Sequence, residues 1–279
     1  MPLPCNAVMA CIKPTSFPLG LATNGCGNYL RAMATYAHDE IVPDKHSSLA
    51  KKSQVATMFN NIAGKYDFLN RFLSVGIDKS WRRKAIVELK EINPQVILDV
   101  ATGTGDVALL AYEILHPEKI VGIDIADAML ELGRKKISKA NLTGKIELAR
   151  GDGETINYDN HSFDAITVAF GVRNFENLET GLSEMLRVLK PGGKISILEF
   201  SKPVLPVFKS FYNLYMKIVA PGFGRMIAHN KQAYEYLNNS VKAFPDRDSF
   251  TAIMKKAGFQ KTYFKTLSLG ICCIYCGSK

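Results

Sequence analysis

No uninterrupted apolar run in this 279-residue chain reaches the roughly 18 residues that a membrane-spanning helix needs. That excludes a helical integral membrane protein and leaves one that is soluble or peripheral. Cysteine is scarce and unevenly placed, with Cys5, Cys11 and Cys26 near the start and Cys272, Cys273 and Cys276 near the end, so a disulfide framework is excluded. Cys273 and Cys276 have metal-ligand spacing, but no second Cys/His pair accompanies them. They lie in a strand-like run where side chains three apart point to opposite faces, so buried thiols are expected and no metal site.

Acidic residues are absent from residues 1–32, where Lys13 and Arg31 carry the only charge and no apolar period is visible. Residues 1–35 read as a tail or leader, with Met33 an equally good start. The lack of acids resembles an organelle transit peptide, although arginine is sparse and an amphipathic helix pattern is missing. No secretory signal with a proper apolar segment is present, so a reducing compartment is expected. Acids are also scarce at the other end, where residues 201–279 hold 12 basic and 3 acidic side chains against 23 of each in residues 1–200. All the excess positive charge lies in the last third, as suits an anionic partner or a solvated basic face.

What is present is the composition of one α/β domain, with 47% apolar and 22% charged residues. The stretch Val96-Ile-Leu-Asp-Val-Ala-Thr-Gly-Thr-Gly-Asp106 reads as a buried parallel strand around Asp99. It turns sharply at Gly103 and Gly105 into a helix whose first amides face an incoming ligand. With Asp124 about 20 residues on, the loop also satisfies a dinucleotide fingerprint, so by itself it does not choose its ligand.

Ahead of that strand, Val55, Met58, Phe59 and Ile62 predict a helix ending near Gly64; Tyr66 to Asn70 with Phe72 and Leu73 predict a second, and Trp81, Ala85 and Leu89 a third. After it, strands and helices alternate: helix 106–116, strand 119–124, helix 126–139, strand 145–150, strand 163–170, helix 178–189, and strand 194–200 after the turn Pro191-Gly192-Gly193. This predicts a mostly parallel sheet covered by helices. Residues 204–227 form an aromatic, basic, amphipathic insertion. A helix at 249–257 precedes two strand-like runs, 261–267 and 271–276, which predict an edge hairpin around Gly270.

A dinucleotide fold needs a second βαβαβ half, and a terminal hairpin stands in its place. Together with the loop Asp99-Val-Ala-Thr-Gly-Thr-Gly105 and the acid Asp124, this resembles the class I S-adenosylmethionine-dependent methyltransferases. Tyr66-Asp-Phe-Leu-Asn-Arg-Phe-Leu-Ser74 with Trp81, then Phe170-Gly-Val-Arg-Asn174, then Arg187 to Ser201 are similar, in the same order, to the ubiquinone/menaquinone biosynthesis C-methyltransferase family. The resemblance runs from about residue 36 to the end. It departs at Asp78, where many members carry histidine.

The resemblance implies a Rossmann-like, mostly parallel seven-stranded sheet with a terminal antiparallel hairpin. The single domain would span 36–279, with an N-terminal helical cap (36–92), a cofactor-binding core (93–202), a substrate or membrane insertion (203–245) and a terminal helix and hairpin (246–279). It implies S-adenosylmethionine held by Asp99, Gly103, Thr104, Gly105, Asp124, Asp152 and Gly153, with Asp124 on the ribose hydroxyls, Asp152 and Gly153 beside the adenine, and no metal. Asp99 would brace the loop or reach the methionine ammonium.

The implied substrate is a polyprenyl quinol methylated on a ring carbon, most closely demethylmenaquinol; a polyprenyl-methoxy-benzoquinol is the alternative. Arg173, Asn174 and Tyr66 are the implied catalytic residues: Arg173 lowers the phenol's pKa while Tyr66 and Asn174 orient the ring. Membrane-surface contact and association with a quinone-synthesis complex or a second copy are expected, without nucleic acid. The place implied is the cytoplasm at the inner face of the membrane, or the mitochondrial matrix if residues 1–32 are a transit peptide. A nucleic-acid methyltransferase, a NAD-dependent enzyme and a non-catalytic scaffold are the rival classes.

Overall fold

The computed structural model describes residues 36–74, 76–202 and 231–279. The expectations for the tail, for Cys5, Cys11 and Cys26, for the aromatic run 204–227 and for the side chains of Phe72 and Leu73 lie outside what is described.

Among the described residues one sheet of seven strands has the order β3-β2-β1-β4-β5-β7-β6. Its strands are β1 (Val96–Val100), β2 (Lys119–Asp124), β3 (Ile146–Arg150), β4 (Phe163–Ala169), β5 (Leu189–Phe200), β6 (Gln260–Leu267) and β7 (Cys272–Ser278). The first five pair in parallel, and β7 inserts antiparallel between β5 and β6. The expected sheet and terminal hairpin are therefore present. The strand order reverses between β1 and β4, and ligands of such sheets bind outside the carboxyl ends of the strands at that switch.

Period-two alternation divides the core. On β1, Leu98 and Val100 pack to one face with Ile166, Val168, Leu182 and Met185, while Ile97 packs to the other with Val107, Ala111, Ile120 and Leu130. β7 repeats the rule: Cys273 and Tyr275 join the first face, and Cys272 and Cys276 join Trp81 and Phe170 on the opposite one. All three thiols are free and buried, and burial raises the pKa of Cys272 and Cys276. They pack as small apolar groups, as the strand spacing predicts.

The helices are α1 (Lys51–Leu73), α2 (Asp78–Val87), α3 (Asp106–Leu115), α4 (Asp127–Lys139), α5 (Leu178–Val188), α6 (Lys231–Ala243) and α7 (Asp248–Lys256). Two local expectations are corrected. The cap does not break at Gly64: α1 runs through it for 23 residues. Gly64 is exposed, and a Cβ added there would meet nothing within 4 Å. Its loss of about 1 kcal/mol of helix propensity is outweighed by the buried face Val55, Ile62 and Ala63. The turn at Pro191-Gly192-Gly193 is part of β5, where the pairing jumps from Phe163–Leu189 to Ala165–Lys194. This is a bulge, and Gly192 takes its positive φ of 78°. Helix α6, absent from the expected elements, is amphipathic: Tyr236 and Ser240 are buried, with Ala233, Leu237 and Val241 half-buried on the same face. No helix of the described residues is long and apolar enough to cross a membrane.

Candidate cofactor and active site

The loop after β1 needs its two glycines. Gly103 and Gly105 adopt φ of 55° and 75°, in the left-handed region that a side chain strains. Beneath it, Asp99 is 1% exposed, and its two oxygens accept hydrogen bonds from Thr102 Oγ1 and Thr167 Oγ1, each at 2.6 Å. Burial raises its pKa to about 6 despite those donors. Asp124, at the end of β2, accepts from the Gly103 amide at 2.8 Å and the Ala126 amide at 2.9 Å. Burial pushes its pKa up while these amides pull it down. Each Asp124 oxygen retains a lone pair for a further donor.

These groups open into a cleft of about 620 Å³ at the β1–β4 switch, with Val100, Ile125, Met129 and Phe175 among its apolar walls. Gly153 lies so close to Phe175 Cζ and Val100 Cγ1 that an added Cβ would approach them to 2.7 and 2.8 Å. Helix α1 forms the opposite wall with Lys52, Val55, Phe59 and Tyr66, residues on one helical face. Polar bonds tie α1 to the segment that follows each of the first three strands, a loop after β1 and β3 and the first turn of α4 after β2. Asp67 accepts from Thr104 Oγ1 at 2.7 Å, Asn60 Oδ1 accepts from the Ala128 amide at 2.9 Å, and Lys52 Nζ pairs with Asp152 Oδ2 at 2.5 Å. Lys136 joins the first tie, bonding Thr104 Oγ1 at 2.8 Å, Asp67 at 2.5 Å and Asp106 at 2.6 Å. Arg82 pairs with the other Asp106 oxygen at 3.0 Å. Asp78, the position of departure from the family pattern, is buried in the first turn of α2, where it accepts from Ser74 Oγ at 2.8 Å and faces Arg82 at 3.6 Å.

At the end of β4, the Phe170 carbonyl accepts from Arg173 Nη1 at 2.5 Å and from Asn174 Nδ2 at 3.3 Å. Arg173 is 5% exposed and its Nη1 bonds Glu199 Oε1 at 2.8 Å; Glu199, on β5, is fully buried. Burial raises the Glu199 pKa while the guanidinium opposes it. Arg173 lies 5.5 Å from the centroid of Phe200, and its Nε has no hydrogen-bond partner among the described residues. Tyr236 Oη donates to Asn174 Oδ1 at 3.1 Å, and burial drives the phenol's pKa up.

Of the residues picked from sequence, Tyr66, Gly103, Asp124, Asp152, Gly153 and Asn174 line the cleft together. Asp99, Thr104, Gly105 and Arg173 do not. Asp99 lies beneath the loop, the Thr104 hydroxyl turns to the cap, Gly105 opens α3 against Leu148 and Gly133, and Arg173 sits behind Asn174 on Glu199. Sequence reasoning missed Lys52, Glu199 and Tyr236. Two had a signal: an acid inside the apolar run Ile195 to Phe200, Glu199, demands a buried partner, and Tyr236 recurs with Ala233, Leu237 and Val241 at helical spacing.

The donor set fits an adenosyl cofactor: apolar walls for a base, a carboxylate at the end of β2 with lone pairs for vicinal hydroxyls, and a second carboxylate, Asp152, past β3. Residues 47–279 match the model of the ubiE/COQ5 methyltransferase family. The demethylmenaquinone methyltransferase of Bacteroides fragilis is 47% identical over 245 residues, which cover 88% of this chain and 99% of that one. The ubiquinone/menaquinone biosynthesis C-methyltransferase UbiE of Geotalea daltonii is 46% identical over 230 residues, 82% of this chain and 97% of that one. Among solved structures, an S-adenosylmethionine-dependent methyltransferase from Thermotoga maritima shares the fold, with a TM-score of 0.54 at 17% identity over 80% of this chain and 98% of that one. With the match reaching from just before the cap helix to the last strand, the chain belongs to the ubiE/COQ5 methyltransferase family and is an S-adenosylmethionine-dependent methyltransferase.

Proposed function

We propose that the chain methylates the ring carbon of demethylmenaquinol. The observation that carries this reading is the cleft itself, in which Asn174 and Tyr66 share one chamber with the Gly103–Asp124 cofactor station, in a chain 47% identical to a demethylmenaquinone methyltransferase. When bound, the cofactor supplies an electrophilic methyl on a sulfonium, which leaves as a thioether with the bonding electron pair.

The residues must then do three things. Asp124 holds the ribose hydroxyls and Asp152 accepts from the adenine amino group, which fixes the methyl's position. Tyr66 and Asn174 orient the quinol ring from opposite sides of the chamber. Asn174 is itself oriented by the Tyr236 hydroxyl and by the Phe170 carbonyl. Arg173, behind that same turn, provides positive charge that favours the phenolate, and ionisation makes the ring carbon a better nucleophile. After C–C bond formation the proton on the methylated ring carbon passes to solvent, its C–H bonding pair returns to the ring, and aromaticity is regained.

A second reading, methylation of a polyprenyl-methoxy-benzoquinol, is supported by the 46% identity to a ubiquinone/menaquinone biosynthesis C-methyltransferase. The polyprenyl chain of either substrate partitions into lipid, so the basic last third and the aromatic run 204–227 are proposed to meet an anionic membrane surface. Quinone profiling after gene deletion tests the substrate. Accumulated demethylmenaquinone supports the first reading, an accumulated methoxy-benzoquinone precursor the second, and an unchanged profile contradicts both. Flotation with anionic vesicles at low salt tests the membrane contact; protein left at the bottom of the gradient refutes it.

A further inference from the structure

Lys52 enters the cleft from α1, far in sequence from the strands that build the site. Its Nζ lies 2.5 Å from Asp152 Oδ2 and 3.8 Å from Glu154 Oε2. The other Asp152 oxygen accepts from the Glu154 amide at 2.9 Å. The carboxylate is therefore gripped from both sides, by its own loop and by the cap. Glu154 is held elsewhere, accepting from the amides of Glu176 at 2.8 Å and Asn177 at 3.0 Å, which leaves Asp152 as the closer partner of the ammonium. The Lys52 side chain is 33% exposed and lines the same chamber as Val55, Phe59 and Tyr66. An ion pair this open adds little to folding stability, so its placement calls for another reason.

We propose that Lys52 is a positioning residue for the adenine end of the cofactor, acting through Asp152. The inference rests on the reading that Asp152 accepts from the adenine amino group. Lys52 orients the carboxylate so that a lone pair is left facing an amino group.

The test is calorimetric binding of S-adenosylhomocysteine together with steady-state kinetics for wild type, K52M, K52R, D152N and K52M/D152N. K52M is expected to raise both the Kd for S-adenosylhomocysteine and the KM for S-adenosylmethionine about tenfold, leaving kcat and the quinol KM within about twofold. K52R, which keeps the charge, restores binding to within about threefold. In the D152N background, K52M changes Kd by less than about twofold, because the carboxylate it acts on is gone. Losses that multiply in the double variant, a K52R as weak as K52M, or wild-type binding by K52M would overturn the assignment. If D152N itself binds like wild type, the adenine reading falls and this one with it. If D152N is weakened and K52M is not, only the role of Lys52 is lost.

Discussion

Replacing Arg173 by alanine removes a buried cation and strands a buried anion. Arg173 is 5% exposed and Glu199 is 0% exposed, so in R173A the carboxylate keeps only the Phe200 and Arg173 backbone amides, at 2.9 and 3.3 Å. Breaking a buried pair from one side costs about 3–5 kcal/mol, a large part of the roughly 5–15 kcal/mol that holds a domain folded. At about 2–4 °C per kcal/mol for a chain of this size, the melting temperature should fall by roughly 6–20 °C. Turnover would fall as well, for two reasons that R173A alone cannot separate.

R173M/E199Q separates them. Methionine fills the stem of the arginine, and the single carbonyl oxygen of glutamine still accepts from the Phe200 amide, without a charge to desolvate, giving up only the longer 3.3 Å bond from the amide of residue 173. Stability should return to within about 1.5 kcal/mol of wild type, measured by urea denaturation. If the guanidinium favours phenol ionisation from behind Asn174, its charge partly offset by Glu199, turnover stays about tenfold low in the double variant, while S-adenosylhomocysteine binds normally. Wild-type turnover in R173M/E199Q would refute the electrostatic role; a melting temperature unchanged in R173A would refute the buried-pair energetics.

Gly153→Ala must displace the Phe175 ring by close to an ångström, since the new Cβ would sit 2.7 Å from Cζ; we expect a stability loss of about 1–3 kcal/mol and weaker S-adenosylmethionine binding, both read by thermal melting with and without cofactor. His38 is fully buried between Tyr36 and Phe244, with Lys51 donating to its carbonyl at 2.7 Å, and burial followed by the Lys51 charge lowers its pKa to about 3. Its folded pKa lies below the unfolded value near 6.5, so its contribution is present above pH 6.5 and is lost as pH falls toward 3. Relative to H38F, wild type should lose about 2 kcal/mol between pH 7 and pH 5. Parallel stability curves for the two proteins would show that the imidazole is not buried neutral.

Much of the cleft's lining is legible in the sequence because its requirements are local. Only glycine takes positive φ cheaply at positions 103 and 105, an acid ending a buried strand points into the switch-point crevice, and alternation along β7 sends Cys273 and Cys276 to opposite faces. The rest depends on contacts between distant segments. Lys52 looks like any solvated helix lysine until α1 meets the loop past β3, and Tyr236, though it lies on the helical period Ala233, Tyr236, Leu237, Val241, shows its role only through its bond to Asn174. Gly64 reads as a helix end when propensity is weighed without the packing of Ile62 and Ala63. Arg173 and Asn174 read alike from their place after β4, and only the contacts show that Asn174 lines the cleft while Arg173 turns to Glu199 behind it.

Methyl transfer by the purified enzyme tests the central claim most directly. Prenylated demethylnaphthoquinol and methoxy-benzoquinol, kept reduced, would be presented separately with ¹³C-methyl S-adenosylmethionine, and the product examined by mass spectrometry and carbon NMR. The expected result is a labelled methyl on the naphthoquinol ring carbon, formed with a higher kcat/KM than any benzoquinol product. A label on oxygen, or no transfer to either quinol while the cofactor still binds, would contradict it.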